Sequence, residues 1–141
     1  MQRLLRKFES AKERVPAPVI RRAAQPTRAG AIWYGSTGAA MAESLAELAR
    51  EGIHLDQMRI RAFPFADAVA EFVAAHEHVF VVEQNRDAQL KMLLVNECGI
   101  DPQKLIPILH YDGNPLTERF VTREIAEKAR LFNVTPLRKA G

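Results

Sequence analysis

Short apolar runs alternate with helical patterns along this chain, and that alternation constrains its fold more than any other feature. Four runs stand out: residues 31–35 (Ala-Ile-Trp-Tyr-Gly), 58–63, 78–83 (His-Val-Phe-Val-Val-Glu) and 105–110. Their near-continuous apolar character suits strands covered on both faces. Between them lie amphipathic stretches with buried stripes expected at Met41, Leu45 and Leu48, then Val69, Phe72 and Val73, then Leu90, Leu93, Leu94 and Cys98. A last helix is predicted over residues 117–132, with Val121, Ile125, Ala129 and Phe132 on one side. Glycines at 52 and 99 end two of these helices. Strands that alternate with helices of this length form parallel βαβ units, so the expected class is α/β with helices on both sheet faces.

The N-terminal segment differs in charge. Residues 1–30 hold eight Lys/Arg against two Glu, whereas the remaining residues hold twelve against fifteen acids. A basic arm thus precedes a mildly acidic body, dividing the chain into residues 1–28 and 29–141. Leu4, Leu5 and Phe8 fall at helical spacing in the arm. Pro16 and Pro18 stop that helix, because proline removes a backbone donor and clashes with the preceding turn. Residues 15–22 are then a linker or an edge strand. The arm has no aromatic interleaving for base stacking, so it reads as a solvated or protein-docking segment rather than a nucleic-acid binder. No apolar run approaches the ~20 residues of a membrane span. The single cysteine, Cys98, rules out an internal disulfide and suits a reducing cytoplasm.

In open parallel sheets, function gathers in the loops beyond the strands' carboxyl ends. The loop Gly35-Ser36-Thr37-Gly38 is a candidate phosphate site or, more simply, a tight turn in which Ser36 or Thr37 caps a helix. Glu83-Gln84-Asn85 places three polar side chains at the end of the most apolar strand. Glu83 could be a general base, but no partner completes a catalytic set, and an anchor that ties loops together is the favoured reading. His76 and His78, two apart, would share a face if both lay on a strand and could in principle chelate a metal; no third ligand is evident. His110-Tyr111-Asp112 closes the last strand.

Five strings, in order, go beyond a generic α/β pattern: Lys7-Phe8-Glu9-Ser10-Ala11-Lys12 through Val15-Pro16-Ala17-Pro18; Ile32-Trp33-Tyr34-Gly35-Ser36-Thr37; Arg61-Ala62-Phe63-Pro64-Phe65; Val82-Glu83-Gln84-Asn85-Arg86-Asp87-Ala88-Gln89-Leu90; and Leu109-His110-Tyr111-Asp112-Gly113. In these the chain resembles the C-terminal domain of the α subunit of 2-oxoacid:ferredoxin oxidoreductases, in the 2-oxoglutarate branch. The resemblance implies a fold like the transketolase C-terminal domain: three α/β/α layers and a mixed, mostly parallel sheet of about five strands. It implies a part in oxidative decarboxylation of a 2-oxoacid onto coenzyme A with electrons passed to ferredoxin. Thiamine diphosphate, Mg²⁺ and an iron–sulfur cluster would belong to the β subunit and the complete complex, and the chain alone would bind none. The partners implied are that β subunit and an upstream α region.

No catalytic residue is implied. Ser36, Thr37, Glu83, Gln84, Asn85, Gln89, His110, Tyr111 and Asp112 would organise loops at a rim that faces other protein parts. Ala88 stands where the family commonly has glycine, and is expected to suit a helix first turn. Two other readings remain at this stage. One is a free flavodoxin-like binding module built on the Gly35–Gly38 loop; the other is a nucleic-acid binder built on the arm.

Overall fold

A computed structural model describes residues 2–134. Helix α1 (Gln2–Lys12) and the short strand β1 (Val19–Arg21) precede β2 (Ala29–Tyr34), α2 (Gly38–Arg50), β3 (Asp56–Ile60), α3 (Asp67–Ala74), β4 (His78–Glu83), α4 (Gln89–Cys98), β5 (Leu105–Leu109) and α5 (Glu118–Leu131). One 3₁₀ turn (Gly35–Thr37) joins β2 to α2, and another (Pro102–Lys104) leads into β5. The stripe expected of Leu4, Leu5 and Phe8 lies outside the described side chains.

The strands form one mixed sheet in the order β1-β3-β2-β4-β5. All neighbours are parallel except β1, which runs antiparallel along β3. Alternation along each strand builds a core on each face. Ala31, Trp33, Phe80, Val82, Ile106 and Ile108 meet α2 and α5, whereas Ile32, Met58, Val79, Val81 and Leu105 meet α3 and α4. This is the expected three-layer, five-stranded α/β architecture, with one antiparallel strand. Pro107 is tolerated because β5 is an edge strand, where a missing N–H costs no ladder bond. Gly30 makes room on β2: a Cβ there would stand 2.7 Å from the buried ring of Phe72, which would have to shift.

Several boundaries depart from expectation. Strand β2 begins at Ala29 rather than 31, and β3 spans Asp56–Ile60 rather than 58–63. The polar pair Asp56-Gln57 hides the start of β3 from an apolar pattern. Asp56 is buried because it is an anchor: it accepts from Arg22 Nη1 (2.6 Å), Ala23 N (2.8 Å) and His76 Nε2 (3.0 Å). These bonds clip the segment after β1 to the sheet and to the end of α3. Burial alone would push the Asp56 carboxyl up, but the Ala23 N–H, Arg22 and His76 together outweigh it and hold it below the ordinary carboxylate range. Leu93 is exposed, not inward, and Phe132 lies past the end of α5 with its ring against His78.

Candidate functional site

Glu83 ends β4 with no exposed surface. A bare carboxylate there would be costly, and this one is not bare. It accepts from the backbone N–H of Leu90 (2.5 Å) and Lys91 (3.2 Å), in the first turn of α4, and from Asn85 Nδ2 (3.0 Å). The positive end of a helix and two of its orphan amides thus satisfy the charge. Asn85 Oδ1 in turn accepts from Asp87 N (3.1 Å) and Gln89 N (3.2 Å), so the loop is knotted from within.

To bring these amides back over Glu83 the chain must turn sharply, and Ala88 does so with φ 51° and ψ 47°, in the left-handed region. The expectation that Ala88 sits in a helix first turn is therefore corrected. It caps the helix in a conformation that suits glycine, and alanine carries a Cβ penalty there.

The loops after β2 and β4 leave in opposite directions along the sheet, which makes the gap between those strands the switch point where α/β folds usually hold ligands. Here that gap is bridged. Gln84 Nε2 donates to Thr37 Oγ1 (3.3 Å) and Ser36 Oγ (3.5 Å). Neither hydroxyl caps α2, contrary to expectation. A 3₁₀ turn intervenes, and Gln84 takes the hydroxyls instead.

A third strand end joins the group. His110 N donates to the Glu83 carbonyl (3.0 Å), and the buried His110 ring packs edge-on against Phe120. His110 Nε2 lies 3.2 Å from Asp112 Oδ1. The Asn114 N–H, bonded to the same oxygen, holds the Asp112 carboxyl below its usual range.

Of the residues singled out from sequence, Ser36, Thr37 and Gln84 thus form one contact set and Glu83 and Asn85 another. His110 attaches through its backbone N–H, and Asp112 through its carboxylate beside the His110 ring. Gln89 enters the knot by its N–H alone, and Tyr111 stands exposed. What sequence reasoning missed is apolar: Tyr34, Phe63 and Leu93 are exposed around a cavity of about 290 Å³ that Gln89 also lines. Leu93 could have been found by counting, since it lies about 100° around the helix from Leu94.

The two histidines do not share a site. His76 precedes the strand and is bonded to Phe72 O (2.6 Å) and Asp56 on the α3 side, whereas His78 packs against Phe132 at the end of α5. Cys98 is half-buried beside the α3–α4 core, and burial pushes its thiol up, away from nucleophilic behaviour. Among the described residues, no three His, Cys, Asp or Glu side chains converge as a metal site requires. A lone cysteine cannot supply the thiolates of an iron–sulfur cluster. Among the described residues, then, no ligand set for a metal ion or an iron–sulfur cluster is assembled. No described helix is long and apolar enough to cross a membrane.

No family model matches the sequence, and no curated protein matches it. Solved structures do. The chain is similar to the 2-oxoglutarate:ferredoxin oxidoreductase of Magnetococcus marinus, solved with 2-oxoglutarate, coenzyme A and succinyl-CoA bound, at a TM-score of 0.73 and 24% identity over 85% of this chain. It spans 21% of the length of the matched chain. It is also similar to the alpha chain of a probable 2-oxoacid ferredoxin oxidoreductase from Thermoplasma acidophilum, at a TM-score of 0.54 and 23% identity, covering 81% of this chain and 97% of that one. The mixed five-stranded sheet with its antiparallel edge, consistent with the transketolase C-terminal-like class, is thus a fold found in 2-oxoacid:ferredoxin oxidoreductases.

Proposed function

We propose that this chain serves as the C-terminal assembly domain of a 2-oxoacid:ferredoxin oxidoreductase α subunit, with 2-oxoglutarate as the favoured substrate class. The domain supports oxidative decarboxylation of the 2-oxoacid to an acyl-CoA, with electrons passed to ferredoxin, and carries no complete active site. Residues 29–141 form its body and residues 1–28 the basic arm.

The observation that carries this reading is the state of Glu83. It is the one fully buried carboxylate at the carboxyl edge among the described residues, and its oxygens are taken by Leu90, Lys91 and Asn85. Such a group holds loops in place and is not free to move a substrate proton. The fold likeness to a part of a much larger enzyme supports the same reading.

The rim formed by Ser36, Thr37, Glu83, Gln84, Asn85, Gln89, His110, Tyr111 and Asp112 then meets the β subunit and an upstream α region. The exposed Tyr34, Phe63 and Leu93 supply its apolar contact. Thiamine diphosphate, Mg²⁺ and iron–sulfur chemistry belong to those partners, as do ferredoxin and coenzyme A at the level of the complex. The single half-buried thiol suits a cytoplasmic setting. A flavodoxin-like role is disfavoured because Ala39 and Ala40, which follow the Gly35–Gly38 loop, offer no further hydroxyl to a flavin phosphate.

Co-expression with polypeptides that supply the β subunit and upstream α region tests the proposal. A complex that co-elutes on size exclusion, and that Leu93→Asp weakens roughly tenfold or more while the variant stays folded, is expected. Failure to associate would refute it.

A further inference from the structure

The sheet's outer half is open on the face that carries α2. There β3 and β1 present Gln57, Arg59, Val19 and Arg21 rather than an apolar surface, and α2 flanks them without covering them. The result is a cavity of about 470 Å³ between the strand edge and the N-terminal end of α2. Its wall includes Arg21, Arg59, Trp33, Gln57, Ser36 and Gly38, and no carboxylate.

Three observations there converge on negative charge. First, Arg21 and Arg59 form no ion pair with a carboxylate among the described residues; Arg59 donates only to the Gly35 carbonyl (3.2 Å). Second, no side chain caps α2, a helix of thirteen residues whose first turn contains no acid. The positive end of the helix is therefore not compensated by any carboxylate of its own first turn. Third, Trp33 is 7% exposed, yet its indole Nε1 is enclosed without any hydrogen-bond partner. Buried donors are seldom left so. That Nε1 and the Arg59 Cζ each lie 3.9 Å from where a Cβ on Gly38 would stand, so indole, guanidinium and helix start meet at one corner.

We propose that this cavity binds a small molecule through a multiply charged oxyanion, phosphate or carboxylate. Arg59 and Arg21 would supply charge and hydrogen bonds and the positive end of α2 further attraction; Trp33 Nε1, enclosed beside Arg59, would be freed to donate as that guanidinium swings onto the anion. The site shares Ser36 with the polar rim but does not depend on the assembly role.

Trp33 is the chain's only tryptophan, so its fluorescence reports on this corner alone. The full chain is titrated with pyrophosphate and, separately, with succinate, each against sodium chloride of matched ionic strength. A saturable change at millimolar concentration or below is expected, and the anion that produces it identifies the group as phosphoryl or carboxylate. Arg59→Gln and Arg21→Gln should each weaken it roughly tenfold or more, with unchanged circular dichroism. Should Arg59→Gln fail to fold, Arg21→Gln, on the short edge strand, carries the test. No saturable response to either anion, or wild-type affinity in the folded variants, overturns the proposal.

Discussion

At the scale of single residues, the rim is held by a few side chains whose cost and benefit can be separated. Ala88 sits at φ 51° so that the amides of Leu90 and Lys91 reach Glu83. Ala88→Gly should raise stability by about 0.5–1 kcal/mol, the relief of a left-handed alanine less the extra freedom glycine gives the unfolded chain. Denaturant unfolding measures it. Glu83→Ala should cost about 2–4 kcal/mol, because it strands two buried amides and opens a void. Asp56→Asn should cost about 1–3 kcal/mol through the bonds to Ala23, Arg22 and His76.

Asp56 also sets a pH dependence. Its folded carboxyl titrates below the ordinary 3.8, so its contribution is present above that value and is lost as pH falls through the folded value. Melting temperature against pH should therefore fall less steeply in Asp56→Asn than in the wild type below pH 3.8. None of this conformational detail was readable beforehand: alanine is a good helix former, and nothing local marks one held in a turn.

At the scale of elements, the helices and central strands were legible because burial on one stripe or on both faces leaves a periodic apolar signal. Met41, Leu45, Leu48, Val121, Ile125 and Ala129 all lie where their spacing puts them. The β1–β3 side of the sheet was legible only in part: residues 15–22 were open between linker and edge strand, and β3 was placed two residues late. Strand β1 has three exposed residues and prolines before it, and β3 opens on an aspartate whose burial depends on Arg22 and Ala23, over thirty residues away. The Gln84 bridge to Ser36 and Thr37 is equally non-local. The clip around Asp56 makes β1 more than a tail. Deleting residues 1–23 should bare the edge of β3, a template for pairing with another chain, and shift the protein toward dimers or aggregates on size exclusion.

At the scale of the whole molecule, the order of the sheet places the loops after β2, β4 and β5 side by side, and these loops spend their polar groups on one another. A pocket that transforms a substrate keeps such groups free. The alternation of strands and helices announced the fold. The candidate site residues were legible as a set, but their mutual use was not, because hydrogen bonds across loops leave no mark in a linear pattern. The most direct test is reduction of ferredoxin driven by 2-oxoglutarate and coenzyme A. No turnover is expected of the purified chain, and turnover is expected once the upstream α region and the β subunit are added. Turnover by the chain alone would contradict it.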